Sequence, residues 1–181
     1  MFVSRQLKED NIAEYLLYMW QIEDLIRANN LDIERINSTL VEPVNLANEQ
    51  KKELLGWYEE LIEMMRREDV IKSGHLQINK NVISTLTDLH LTLLRSTKFP
   101  YYNAVYYKTL PYIVELRSKG NNHELSELEN CFEVLYGILI LRLQKKEISQ
   151  ATLDAAKIIT HFLAQLSTLY KKDRIGELDL E

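Results

Sequence analysis

The fold is decided first by one apolar segment, IAEYLLYMWQIEDLIRA, which runs from Ile12 to Ala28. Its apolar side chains cover more than half of a helical circumference. This is wider than the apolar stripe of an amphipathic helix that has one face exposed to solvent. Asn11 precedes the segment and Glu14 lies three residues later, which is the spacing of a capping box at a helix N-terminus. The segment therefore predicts a helix inside a bundle, with neighbouring helices on several sides.

Charged residues interrupt the apolar surface of this first helix. They are Glu14, Glu23, Asp24 and Arg27. Glu23 and Arg27 lie four residues apart, in the order that favours an ion pair on a helix. A charge that is buried must be paired, because an unpaired buried charge is costly. Two interpretations stay open: an internal salt bridge that fixes the register of the helix, or a carboxylate that projects into a central cavity.

The rest of the chain shows further helical segments with short connections. Capping residues, glycines and prolines place them near residues 32–39, 48–72, 79–97, 100–119, 122–146 and 149–170. The 181 residues include 30 Leu but only 8 Val, 5 Gly and 3 Pro, which is poor material for strands and turns. We predict an all-α, single-domain bundle of six to seven mostly antiparallel helices around the central apolar first helix. The domain spans residues 1–170, and the polar residues 171–181 form a frayed tail.

Bulk composition limits the cellular setting and the classes of partner. The net charge is −5, which argues against general nucleic-acid binding because such binding depends on cationic contacts with phosphates. The single cysteine, Cys131, excludes an internal disulfide and fits a reducing compartment. The longest apolar run, Val134 to Leu141, is far shorter than the roughly 20 residues of a membrane span, and no signal peptide is recognisable. We expect a cytoplasmic protein without a membrane contact.

Motifs that would indicate catalysis are missing from the sequence. None of the four histidines belongs to a Glu-x-x-His or His-Glu-x-x-His pair, which are the spacings of di-iron and zinc sites on helices. Phosphate-binding glycine loops and the Gly-x-Ser-x-Gly nucleophile motif do not occur. The sequence therefore predicts no metal, no cofactor and no recognisable catalytic residue, and favours a function other than an enzyme.

Tyrosine is concentrated in one part of the chain. Five of the ten tyrosines fall within twelve residues: Tyr101, Tyr102, Tyr106, Tyr107 and Tyr112. The surrounding stretch 95–119 has a formal charge of +4, with Arg95 and Lys108 among its basic residues. Tyrosine suits half-wet surfaces such as interfaces and ligand pockets. Three interpretations stay open: the boundary of the core or a subunit contact, a groove for an anionic or aromatic ligand, and, least supported, stacking of single-stranded nucleic acid.

Two interpretations are open for His90. It lies on the inward side of its predicted helix, so it is either a core histidine with a satisfied ring or a functional base or ligand contact.

The first helix and a second short run also carry a family resemblance. Together with Phe-Pro-Tyr-Tyr-Asn at residues 99–103, the segment from Ile12 to Ala28 resembles a bacterial family of all-helical, single-domain proteins of about this length, which is known only as a domain of unknown function. The resemblance covers almost the whole chain. It implies a bacterial, cytoplasmic protein and a helical fold, and it implies no activity and no catalytic residues.

Two functional hypotheses follow from the sequence. The leading one is a helical protein–protein interaction module, a homodimer or a complex with another protein, with the Tyr-rich helix at 100–119 in its contact surface. The alternative is a binder of a small anionic or aromatic ligand, or an enzyme, with a pocket lined by His90, the Tyr101–Tyr112 cluster and Lys108. The candidate ligand or partner-binding residues are His90, Arg95, Tyr101, Tyr102, Tyr106, Tyr107 and Lys108.

Overall fold

All regular secondary structure in the described part of the chain is helical. The computed structural model describes residues 1–119 and 125–180. The helices are α1 (Phe2–Asp10), α2 (Ile12–Ala28), α3 (Ile33–Ile36), α4 (Asn48–Arg67), α5 (Gln77–Arg95), α6 (Pro100–Lys119), α7 (Glu127–Leu143) and α8 (Gln150–Arg174). A π-helical segment, Asn37–Val41, continues α3. The prediction of an all-α fold is confirmed.

The observed helices differ from the predicted ones in number and at some ends. The described residues contain eight α-helices rather than six or seven, because α1 was not expected. That helix is mostly polar, and its one fully buried side chain is a serine, Ser4, so it shows no apolar stripe. At the other end α8 continues to Arg174, into the stretch that was expected to fray. The predicted helix start near residue 122 lies outside the described residues.

Polar side chains cap the N-termini of several helices. Asn11 precedes α2, and its Oδ1 accepts a hydrogen bond from the backbone N–H of Ala13 at 3.2 Å. The Ser126 hydroxyl accepts from the backbone N–H of Glu129 at 3.2 Å, and the Glu129 carboxylate accepts from the N–H of Ser126 at 3.0 Å. The second pair is a complete capping box at the start of α7. These caps supply partners for N–H groups that a helix terminus leaves unpaired.

The described chain divides into two compact units. The first comprises Met1–Lys8 and Glu14–Asn81, and its core is built mainly from α2 and α4. Buried apolar side chains on several sides of α2 agree with its apolar sequence. The largest fully buried apolar residues of this unit are Leu16, Met19, Trp20, Ile26, Ile36, Leu61, Met65 and Leu76.

The second unit comprises Glu9–Ala13 and the chain from Val82 onward. Within it α6 packs against α7 and α8, and α7 also packs against α8. Its core includes Leu86, Leu93, Ile113, Phe132, Ile159, Phe162 and Leu166. The helix α6 continues without interruption through Pro111, although a proline removes one hydrogen bond from a helix interior.

Membrane insertion was also considered for the described helices. Not one helix in residues 1–119 and 125–180 combines the length and the apolar character that crossing a bilayer requires.

Candidate functional site

Glu23 on α2 is completely buried, with 0% of its surface exposed. One carboxylate oxygen lies 2.6 Å from Nδ1 of His75. The other accepts hydrogen bonds from the backbone N–H of Leu76 at 2.9 Å and from Nδ2 of Asn79 at 2.6 Å. The ring of His75 stacks on the indole of Trp20, with centroids 4.0 Å apart. The buried charge is thus satisfied by the end of the α4–α5 connection and the first turn of α5.

The other charged residues of α2 have different surroundings. Arg27 pairs with Asp24 at 2.9 Å, and its guanidinium donates to the carbonyl oxygens of Val70 at 3.0 Å and of Gly74. Glu14 is exposed. Glu23 therefore pairs with a histidine far along the chain, and Arg27 binds the same connection through its backbone. Together these side chains fix the connection before α5 onto α2.

The Glu23 network predicts a large and specific loss of stability. Glu23→Ala removes the acceptor for two buried donors and the partner of the half-buried His75, so we expect the free energy of unfolding to fall by about 3–5 kcal/mol. The matched control is Glu63→Ala, which removes an exposed ion pair with Arg66 on α4 and should cost less than about 1 kcal/mol. Urea unfolding followed by circular dichroism measures both variants. Similar losses in the two variants would contradict the network.

His90 on α5 lies at the centre of a buried aromatic cluster and is only 3% exposed. Its Nδ1 is 2.6 Å from the hydroxyl of Tyr102. The rings of Tyr106 and Phe162 meet the imidazole edge-on, at centroid distances of 4.8 and 5.6 Å. The Tyr106 hydroxyl donates to a carboxylate oxygen of Glu127 at 2.8 Å. The structure thus places three of the candidate residues together, but in the core of the second unit.

Burial keeps the groups of this cluster uncharged at neutral pH. Desolvation lowers the pKa of His90, and the nearby Glu127 carboxylate opposes this shift. Desolvation is also the largest cause of the raised pKa of Tyr102 and of Tyr106, and for Tyr106 the hydrogen bond to Glu127 adds to it. Burial and Glu127 raise the pKa of the Cys131 thiol to about 12. The cluster therefore presents neutral side chains that hold one another in place.

The lowered pKa of His90 predicts a pH-dependent stability. Because the unfolded chain binds a proton near the ordinary value of 6.5 and the folded chain resists it, the stability is complete above that pH and falls as the pH drops below it. His90→Gln should flatten the decline between about pH 7.5 and about pH 5. His161→Gln, at an exposed histidine of α8, should leave it unchanged. Urea unfolding across this range measures the free energy of unfolding at each pH. The same pH dependence of that free energy for wild type and His90→Gln would refute the prediction.

The raised pKa of Cys131 predicts an unreactive thiol. Only the thiolate attacks a disulfide reagent, and burial both suppresses the thiolate and blocks access. We expect Ellman's reagent to titrate no thiol in the folded protein and one thiol in urea. A Thr168→Cys variant, with a cysteine at an exposed position of α8, should react immediately with one equivalent. Rapid labelling of the folded wild type would contradict the buried environment.

A surface cleft of about 400 Å³ lies between α6 and α8. Its lining residues are Tyr101, Ala104, Val105, Lys108 and Thr109 on α6, and Lys157, Ile158 and His161 on α8. The Tyr101 hydroxyl is 3.3 Å from Nε2 of His161, and the two rings meet edge-on. Lys157 is largely exposed, and its ammonium is 3.6 Å from the Asp154 carboxylate. The cleft combines an apolar floor with three basic side chains at its walls.

The candidate residues are therefore divided between two places in the second unit. Tyr101 and Lys108 line the cleft, whereas His90, Tyr102 and Tyr106 form the buried cluster. Arg95 is exposed at the end of α5 and does not line the cleft. The sequence analysis missed Lys157 and His161. Their signal was their spacing, since residues four apart lie on one face of a helix.

The solvent face of α6 is apolar along most of its length. The exposed apolar residues opposite the buried face are Pro100, Ala104, Tyr107, Pro111 and Val114, which we call the outer stripe; Lys108, Glu115 and Ser118 are exposed beside it. Tyr107 and Val114 are 63% and 57% exposed. The stripe follows spacings of four, three, four and three residues, as in a helix that packs against another helix. The remaining candidate, Tyr107, thus lies on this stripe rather than in the cleft.

The described residues also form a second cleft. The second cleft, of about 700 Å³, lies in the first unit beside Glu59, Glu63 and Arg66 of α4. In residues 1–119 and 125–180, no three His, Cys, Asp or Glu side chains are grouped so that they could hold a metal ion.

Comparison with known proteins gives one finding. A family model described as a domain of unknown function, DUF4924, matches residues 1–177. No curated protein and no solved structure matches the sequence significantly. The family match covers nearly the whole chain and agrees with the resemblance seen in the sequence.

Proposed function

The chain belongs to the DUF4924 family, whose description names no activity, and from its own geometry we propose that it is a helical protein-interaction module that forms a homodimer through the outer stripe of α6. The observation that carries this proposal is the exposure of large apolar side chains, above all Tyr107 and Val114, on the solvent face of one helix. Contiguous exposed apolar surface is typical of sites of protein contact.

The sequence of α6 supports a partner helix on this side. A helix that is apolar all round normally lies in an interior, with neighbours on every side. The fold covers the inner face of α6 with α7 and α8. Nothing of the described chain buries Tyr107, Pro111 or Val114. Their spacing suits the interdigitation of side chains between two packed helices.

The charges beside the outer stripe favour a second copy of the chain as the partner. Lys108 and Glu115 lie seven residues apart on the same flank of the stripe, one on each side of Pro111. If two α6 helices pack antiparallel about a two-fold axis near Pro111, Lys108 of one protomer faces the partner's Glu115, and the pairing occurs twice. A two-fold interface requires this kind of self-complementary surface.

The proposal also includes a cellular location, and it excludes nucleic-acid binding and catalysis at the His90 cluster. We propose a cytoplasmic location, which the single buried cysteine supports because free thiols persist in reducing compartments. The net charge of −5 supports a protein partner over nucleic acid. The neutral, mutually bonded side chains around His90 support a structural role for that cluster rather than catalysis.

Substitution at the centre of the outer stripe tests the dimer. Tyr107→Glu places a carboxylate in the proposed contact, so we expect the dimer dissociation constant to rise at least about tenfold, or about 1.4 kcal/mol. Leu143→Glu is the matched control, because it changes an apolar residue of similar exposure, 65%, at the end of α7. Sedimentation equilibrium over a wide concentration range measures both. A wild type that is monomeric throughout would disprove the proposal.

A charge-swap pair extends this test to the two-fold arrangement. Lys108→Glu alone should weaken the dimer, because in each of the two symmetry-related contacts a carboxylate at position 108 then faces the partner's Glu115. The double variant Lys108→Glu with Glu115→Lys should restore the wild-type dissociation constant. If the dissociation constant of the double variant stays high, the antiparallel two-fold arrangement is wrong. The Tyr107→Glu result then still tests whether the outer stripe forms the contact.

A further inference from the structure

The cleft between α6 and α8 has a chemistry that the dimer does not require. Tyr107, Pro111 and Val114 do not line it, and its distinctive residues, Lys157 and His161, lie on α8. Basic side chains stand on both walls, and no carboxylate is among the lining residues. In a chain of net charge −5, this is a local site that attracts anions.

We propose that this cleft is a binding site for a small organic anion with a flat apolar body. The anionic group, a carboxylate, sulfonate or phosphate, binds Lys157, Lys108 and His161. The apolar body lies on Ala104, Val105 and Ile158. The ring of Tyr101 forms one side wall.

The availability of the basic groups supports an anionic ligand. The contact of Lys157 with Asp154 is long, at 3.6 Å, and exposed, so it offers little competition to a bound anion. Lys108 has no ion-pair partner among the residues that the structure describes. His161 is held against Tyr101 by the 3.3 Å contact, which positions its ring at the wall of the cleft. The lining residues thus offer two ammonium groups and one imidazole ring, and none of them is a carboxylate.

The size and the floor of the cleft indicate an organic ligand rather than a bare ion or a polymer. Small-molecule sites commonly have volumes of roughly 300–1,000 Å³ and mostly apolar walls, and the cleft has about 400 Å³. A bare phosphate would leave the apolar floor uncovered. A nucleic acid would need many more cationic contacts than the two lysines of the cleft supply.

The probe for this proposal is anilinonaphthalene sulfonate, which carries one sulfonate on a flat aromatic body. We expect one probe to bind per chain, with a fluorescence increase that weakens at high salt because the attraction is screened. Phenylnaphthylamine has the same aromatic rings without the sulfonate and should bind at least about tenfold more weakly. Equal binding of the two compounds would overturn the proposal.

Two matched charge-reversal variants test whether the probe binds in the cleft. Lys157→Glu should weaken its binding at least about tenfold. Lys172→Glu makes the same change at an exposed lysine of the same helix outside the cleft, and should leave binding unchanged. Both variants leave the outer stripe intact, so the dimer should be unaffected and the two proposals fail separately. Equal affinities in the two variants would refute the cleft.

A second measurement guards against probe binding to partly unfolded chains. The midpoint of thermal unfolding is first measured for each variant, and it should match that of the wild type. Benzoate, a simple aromatic carboxylate, is then titrated into the wild type while the imidazole resonances of His90 and His161 are followed by NMR. We expect the His161 signals to shift and those of buried His90 to stay. Unmoved His161 signals would contradict the proposal.

Discussion

Apolar helix surface must be removed from water, and α6 carries more of it than its own fold covers. Tyr102, Tyr106 and Ile113 are buried in the second unit, while Tyr107 and Val114 on the opposite face remain in solvent. This surplus is the constraint on which the functional reasoning depends. The buried tyrosines fix the orientation of the helix, and that orientation determines which residues face α8 in the cleft and which form the outer stripe.

Local patterns in the sequence were sufficient to predict the helices from α2 onward but not their faces. The bounds of α6 agree with the predicted 100–119, and α2 ends at Ala28 as expected, because capping and breaking residues act within one helical turn. Five neighbouring tyrosines, in contrast, gave no sign of which would be buried. Apolar side chains lie on opposite faces of α6, so its sequence pattern does not define one inner face, and the packing of α7 and α8 makes that choice.

The partners of buried charges were harder to predict because they come from distant parts of the chain. Glu23 and Arg27 have the spacing of a local ion pair, yet Glu23 binds His75, 52 residues away. Full burial explains this difference: a carboxylate removed from water needs several donors at once, and one flexible guanidinium on the same helix cannot supply them all. The same limit hid His161, whose neighbour Tyr101 is 60 residues distant.

The two proposed surfaces share two side chains of α6, Ala104 and Lys108, and the second has a thermodynamic consequence. Lys108 lies at the wall of the cleft and also on the flank of the outer stripe. An anion in the cleft and the partner's Glu115 therefore compete for one ammonium group. Linkage is reciprocal, so an anion that draws Lys108 into the cleft weakens the dimer by the same factor by which dimerisation weakens anion binding.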